Sequence, residues 1–277
     1  MTTVPALSQL VPLALMLVAI GGAAGIIAGL LGVGGGIVLV PAFLHAFTAL
    51  GYDGPQIMQV CLATSLATIV FTSQRSVRAH AKKGAVDWSI LRGWGPGIAV
   101  GAVAGVIVAG GMKTTALMVI FGVLGTIVGL YLAFGHDSWR LGDHLPTGIG
   151  RAITSPVIGF LSVLMGIGGG SFGVPLMRLY GQPIHRAVGT ASGFGLMIAI
   201  PSVVGFLLQG RGAEGLPPWT VGLVNLPAFL VVIGVTLVTT TWGVHLAHAM
   251  NPRPLKLAFA AFIMLMALNM LRKALTG

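Results

Sequence analysis

Two runs of three glycines are the residues in this chain best placed to do chemistry. Gly34, Gly35 and Gly36 close the stretch Gly32-Val33-Gly34-Gly35-Gly36 and are followed by Pro41. Gly168, Gly169 and Gly170 close Gly166-Ile167-Gly168-Gly169-Gly170 and are followed by Pro175. Both copies read G-x-G-G-G-x4-P, start 134 residues apart, and sit inside apolar sequence. Each glycine lowers helix propensity by about 1 kcal/mol relative to alanine, so a triple run predicts a break. What glycine gives in return is free φ/ψ and close backbone approach. A break frees N–H groups at the start of the next helix, and those groups with the positive end of its dipole suit an anion. The competing use of such glycines is close helix packing in a membrane.

Hydroxyls extend this candidate site. Thr64, Ser65, Thr190 and Ser192 lie in apolar segments at matched places in the two halves, and Ser171 directly follows the second triple glycine, where the first copy has Ile37. A hydroxyl can donate to an anion without the cost of a buried charge; it can also back-bond to its own helix or tie helices together. His45, in a short apolar element, is a candidate proton or anion partner. His80 stands among Arg75, Arg78, Lys82 and Lys83 and reads as part of a solvated loop. His245 and His248 have metal-ligand spacing but no accompanying carboxylate, so they read as interfacial and no metal site is expected.

The elements that must position these residues are membrane helices. The chain is 56% hydrophobic and 7% charged, where soluble domains carry about 25% charged residues. Its apolar runs are continuous rather than alternating, which argues for helices over a barrel. Ten elements are expected, near residues 11–31, 36–50, 57–73, 90–111, 114–134, 153–166, 170–179, 184–209, 219–248 and 254–271. The chain reads as one transmembrane domain over 1–277, with a first repeat 10–134, a linker 135–151 and a second repeat 152–274. The duplication is visible beyond the glycines. Gly84, Val86, Gly105, Met112, Leu117 and Phe121 recur 138 residues later, and Ala63-Thr64-Ser65 faces Gly189-Thr190-Ala191-Ser192 at an offset of 126. The change of offset requires an insertion, which we place at residues 209–218.

Charge placement bears on topology. If each glycine-broken pair is a hairpin, the halves are inverted, and the basic residues divide eleven to four, with Arg75 to Lys83 on the richer face and Lys113, Arg211, Arg272 and Lys273 on the poorer one. A parallel arrangement divides them ten to five. The inverted arrangement is preferred and puts both termini outside the cytoplasm. The net charge of +10 is then a topology signal, with no nucleic acid implied. The five acidic residues, Asp53, Asp87, Asp137, Asp143 and Glu214, fall in expected loops or helix ends, so nothing points to a carboxylate cage for cations. Cys61 is the only cysteine, which excludes an intramolecular disulfide. The first residues lack the basic stretch of a signal peptide, so the first apolar run is expected to be retained. There is no nucleophile turn and no strand around the glycines to make a dinucleotide fingerprint, and neither an enzyme nor a cofactor is expected.

The doubled G-x-G-G-G-x4-P, the Ala63-Thr64-Ser65 step, Gly84-Ala85-Val86-Asp87-Trp88, the stretch 222–229 (GLVNLPAF) and the last apolar segment together resemble the sulfite exporter TauE/SafE family. The resemblance implies a prokaryotic inner-membrane protein that exports a small sulfur-containing anion such as sulfite, thiosulfate or sulfoacetate. The expectation is an all-α polytopic transporter of two inverted repeats, each with a glycine-broken hairpin, working by alternating access around the breaks. An anion channel and a membrane scaffold for a soluble partner are the alternatives. The expected partners are the anion and the lipid bilayer, with a homodimer left open.

Overall fold

The computed structural model describes residues 7–31, 35–135, 139–210, 215–249 and 253–276. Among the described residues there are ten helices: α1 (Leu7–Leu31), α2 (Gly36–Ala49), α3 (Ile57–Lys82), α4 (Trp88–Gly111), α5 (Thr114–Phe134), α6 (Gly148–Leu164), α7 (Gly170–Leu179), α8 (Ile184–Gln209), α9 (Leu226–Ala249) and α10 (Arg253–Thr276). Among the described residues, five of them contain stretches long and apolar enough to cross a membrane: α3, α4, α5, α8 and α9. The outward faces carry Val100, Ile107, Ile127 and Leu230, each more than half exposed, a surface that needs lipid rather than water against it. α2 and α7, at 14 and 10 residues, extend about 21 and 15 Å, short of a hydrocarbon core about 30 Å thick. Both begin at the glycine the sequence indicates, Gly36 and Gly170.

Several boundaries differ from the sequence reading, three of them with a visible cause or consequence. α3 continues nine residues past Ser73, because its polar last turns are held inside the protein: Ser76 and His80 are buried. α6 begins at Gly148, inside the expected linker. α9 begins at Leu226 because residues 220–225 form a two-residue-per-strand hairpin, with β1 (Thr220–Val221) antiparallel to β2 (Val224–Asn225).

Contact registers give the helix directions. Along α1 and α9, Gly21 packs on Val232, Gly25 on Thr236 and Thr239, and Gly29 on Thr240, so the two run parallel. α4 and α6 are likewise parallel, with Gly97 on Ser155, Gly101 on Pro156 and Gly105 on Phe160. α5 and α10 run antiparallel: Gly122 lies on Leu271 and Gly129 on Met264. So do α3 and α8, where Gly195 meets Ser73, Ser192 meets Ser76 and Gly189 meets His80. Small residues every fourth position (Gly21, Gly25 and Gly29 on α1; Gly93, Gly97, Gly101 and Gly105 on α4) let these backbones close, the usual solution where lipid removes the hydrophobic drive for helix association.

Details recur across the two halves. The Asp87 carboxylate caps α4 by accepting from Ser89 and Ile90 N–H, and the Asn225 side-chain oxygen caps α9 by accepting from Ala228 N–H. The Asp87 N–H donates to Thr190 Oγ1 at 2.9 Å, and the Asn225 N–H donates to Thr64 Oγ1 at 3.0 Å. At the end of α3, Ala85 N–H donates to His80 O; after α8, Leu223 N–H donates to Phe206 O. That last bond spans the stretch 209–218 in which the sequence reading sets an insertion. Gly210 seats against Gly222 where the detour closes.

Two outcomes follow. A Cβ at Gly101 would overlap the Pro156 carbonyl, a backbone atom that cannot turn away. Gly101→Ala should lower stability by about 1–3 kcal/mol, while Gly111→Ala, with nothing within 4 Å, should not; thermal unfolding in detergent reads both. Second, the Asp87 carboxyl is held below its ordinary range, first by the Ser89 hydroxyl, then by the Ile90 and Ser89 N–H groups and Arg186, against a desolvation cost. A depressed carboxylate stabilises above its unfolded pKa and loses that contribution as pH falls. Wild type should therefore lose stability below about pH 4. Asp87→Asn should remove that acid step at a cost under about 1 kcal/mol near neutrality, since asparagine is an equally good cap and already serves at position 225. pH-dependent thermal unfolding of the two proteins checks this.

Candidate functional site

The two breaks touch each other. α6 ends with Gly166 at φ +61°; Gly166 N–H donates to Val163 O and Ile167 N–H to Ser162 O, a Schellman ending that requires the left-handed conformation glycine adopts without strain. Residues Ile167 to Gly169 then cross to α7. The first break ends at Gly35, at φ +76°, and packs on the Ala24 carbonyl. Gly36, the first residue of α2, lies on Gly166 O and Ile167 Cα, with no room for a side chain. Gly166 in turn lies against Leu62 and Val40. The second break is closed on its far side by α8, where Gly169 and Gly173 pack on Phe194 and Gly169 also on Ala191 O. α3 and α8 thus wall in the two starts of α2 and α7.

The freed backbone has partners in that wall. Ser65 donates its hydroxyl to Gly166 O at 2.7 Å, satisfying a carbonyl that the end of α6 leaves open. The leading N–H groups of α2 and α7 have no partner within their own helices. They start at the centre of the protein, with Gly36, Ile37, Gly168, Gly169, Gly170 and Ser171 all buried. Ser171 sits in the first turn of α7, 4% exposed, and its hydroxyl has no hydrogen-bond partner among the described residues. Two further buried hydroxyls share that state, Ser162 on the last turns of α6 and Ser73 on α3.

The residues singled out in the sequence separate into groups. Gly35, Gly36, Gly168, Gly169, Gly170 and Ser171 are brought together, with Ser65 bonded to them. Gly34 lies outside the described residues. Thr64 and Thr190 are buried, but their oxygens hold the N–H groups that precede α9 and α4. Ser192 donates to Val188 O, so its 2.9 Å contact with Ser76 is a bond that Ser76 donates. These three act as fastenings between helices. His45 is on an exposed face of α2, nine residues beyond Gly36, or about 13 Å along the helix, and does not reach the breaks. His80 corrects the sequence reading: it is fully buried in the last turn of α3, with Nε2 3.0 Å from Gly29 O. Among the described residues no three potential metal ligands cluster.

Sequence reasoning missed the rest of the α3 face. Thr64, Thr68, Thr72 and Ser76 recur every four residues, and all are buried. That spacing was available as a signal: hydroxyls at i, i+4 in an otherwise apolar helix mark a face turned to protein.

A family description, Sulfite exporter TauE/SafE, matches residues 17–270. A probable membrane transporter protein of Haemophilus influenzae is 29% identical over 94% of this chain and 98% of its own length. One from Methanocaldococcus jannaschii is 25% identical over 92% of this chain and 94% of its own. One from Bacillus subtilis is 31% identical over 71% of this chain and 79% of its own. No solved structure matches. With paired glycine breaks enclosed among apolar helices and a match spanning nearly its whole length, the chain belongs to the sulfite exporter TauE/SafE family and is a multi-pass membrane transporter rather than an enzyme.

Proposed function

We propose that this transporter exports a small sulfur-containing anion, of the class of sulfite, thiosulfate or sulfoacetate, from a site between the starts of α2 and α7. The observation that carries the reading is Ser171: a buried hydroxyl without a partner among the described residues, in the first turn of α7, directly after the second break. A buried polar group left without a partner costs about 1–3 kcal/mol; a ligand that accepts from it recovers that cost. The leading N–H groups and dipoles of α2 and α7 point the same way. Among the described residues, Asp53, Asp87 and Asp143 all lie outside the helices, so no described helix brings a carboxylate to the breaks to repel an anion.

The architecture we propose is a pair of inverted repeats, 10–134 and 152–274. Supporting it are the antiparallel courses of α3 against α8 and α5 against α10. Two equivalent helices that run antiparallel are related by an axis across them, which lies in the membrane plane. The matched caps at Asp87 and Asn225 support it further. In this arrangement the ends of α3 and the starts of α4 and α8, with Arg75, Arg78, Lys82, Lys83, Arg92 and Arg186, face the cytoplasm. Alternating access is then a movement of the halves about the breaks. An anion leaving an inside-negative cell gains about 2.3 kcal/mol per charge per 100 mV, enough to drive export without a coupled ion.

Ser171→Ala tests the site without crowding it. The unliganded protein should keep its thermal midpoint, since no protein bond is lost. Stabilisation by thiosulfate or sulfite should weaken by about five- to tenfold in apparent Kd, one hydrogen bond's worth. Chloride should stabilise neither form to the same extent. Wild-type affinity in Ser171→Ala, or no shift with any sulfur oxyanion, would sink the proposal.

A further inference from the structure

α3 is enclosed along most of its length and comes to the surface on one narrow face. From residue 71 on, its exposed residues are Phe71, Gln74, Arg75, Arg78 and Lys82. Positions 71, 75, 78 and 82 are four, three and four apart, so they form one stripe along the helix: an aromatic ring followed by three cations. At an offset of 126 the same face of α8 carries Met197, Pro201, Val204 and Leu208, all but Pro201 exposed. Apolar side chains therefore serve on this face, and the cations on α3 answer no need of the fold. Like charges three and four residues apart on a helix also repel. Among the described residues, no carboxylate pairs with any of the three. A topology signal requires basic residues near a helix end; it does not require them on one face, nor as far inside the helix as Arg75.

Arg75 has the most defined geometry. It stands seven residues, about 10 Å, before the end of α3. Its Nε donates to Thr241 Oγ1 of α9 at 2.8 Å. The neighbouring Thr240 packs its carbonyl on Gly29, and Gly29 O faces the ring of His80. The guanidinium is thus carried along α3 to about the level of its last turn. This is the reach by which a long cationic side chain in a membrane brings its head to the interface. With Nε engaged by Thr241, the fork presents its two terminal nitrogens, which suit a phosphate taken bidentately. Arg78 and Lys82 follow on the same face. On α9, Trp242 and His245 are exposed next to Thr241 and one turn beyond it, and tryptophan favours the headgroup level. Toward the middle of the membrane, the exposed Phe71 lies against Phe229, with ring centroids 5.7 Å apart.

We infer that the outer face of α3, with the adjoining edge of α9, binds an anionic phospholipid. Its phosphate sits in the Arg75 fork, Arg78 and Lys82 supply the remaining positive charge, and an acyl chain runs over Phe71 and Phe229. Charge complementarity and the aromatic pair select this occupant together. An acidic soluble protein would meet the same cations but could not reach an aromatic pair at membrane depth. The inference goes beyond the transport reading and needs only the chain's place in a membrane. The lipid would bridge two helices that Arg75 already ties, α3 from the first half of the chain and α9 from the second.

The test is a titration of purified protein in an uncharged detergent with phosphatidylglycerol, with zwitterionic phosphatidylethanolamine and with inorganic phosphate. Thermal midpoint reads stabilisation, and native mass spectrometry reads bound lipid. Phosphatidylglycerol should raise the wild-type midpoint and saturate. Arg75→Gln combined with Arg78→Gln should weaken its apparent Kd by about tenfold or more. Lys83→Gln combined with Arg92→Gln removes the same charge from the same end but off the stripe, and should leave that Kd within about twofold. Thr241→Val keeps every charge and releases only the Arg75 fork. It should weaken binding severalfold, which reads the geometry even if the double variant folds poorly. Equal losses in the two double variants would reduce the stripe to a diffuse basic surface and overturn the inference. Equal stabilisation by phosphatidylethanolamine, or by inorganic phosphate at the same concentration, would overturn it as well.

Discussion

A backbone carbonyl or amide released inside a bilayer has no water to turn to, and the rest of this structure follows from enclosing two places where that happens. Each unsatisfied group in hydrocarbon costs several kcal/mol, so non-helical chain at membrane depth must be walled by protein. The wall here is α3 and α8. The bond from Ser65 to Gly166 O at 2.7 Å, and the seating of Gly36 directly on Gly166, close the gap from one side. Phe194 and Ala191 close it from the other. Because that wall is itself inside the protein, α3 and α8 need helices around them, and α4 and α9 pack on them in parallel while α6 and α1 pack behind. The small residues along α1 and α4 are a consequence: without close helix contact the inner wall would not be sealed.

The sequence made much of this readable. Alternating apolar runs with polar punctuation located the helices, and the triple glycines located the starts of α2 and α7 to the residue. The doubled motif and the change of offset between 138 and 126 set Ala63-Thr64-Ser65 against Gly189-Thr190-Ala191-Ser192 in the sequence, and the structure gives Thr64 and Thr190 the same task of holding an N–H ahead of a helix. What could not be read was who bonds to whom across the halves. Thr64, Thr190 and Ser192 had the right chemistry for an anion, but their oxygens are used by residues more than a hundred positions away or by their own helix. Nothing local distinguishes a hydroxyl that fastens from one that waits for a ligand. His80 was misread for a related reason. Five cationic or ionisable side chains within nine residues look like a solvated surface, yet helical geometry carries Arg75, Arg78 and Lys82 to the outside while turning His80, four residues on from Ser76, to the inside.

The places where the two halves depart from each other carry as much information as the places where they agree. In the inverted arrangement proposed above, identical repeats would make the inward-open and outward-open states equivalent by a two-fold rotation and equal in energy, and a substrate at the centre would have no preferred side. Three departures break that equivalence. Ser171 stands where the first half has Ile37, so hydrogen-bond donors are weighted toward α7. Asp87 stands where the second half has Asn225, placing one ionised cap and its Arg186 partner at one end only. His80 stands where the second half has Phe206. In the proposed reading the first weights the anion site toward α7, and the second places an ionised carboxylate at one end only. A differential interaction of this kind is the only means by which a ligand can shift such an equilibrium, so in the proposed transporter the residues that spoil the symmetry are where direction is set.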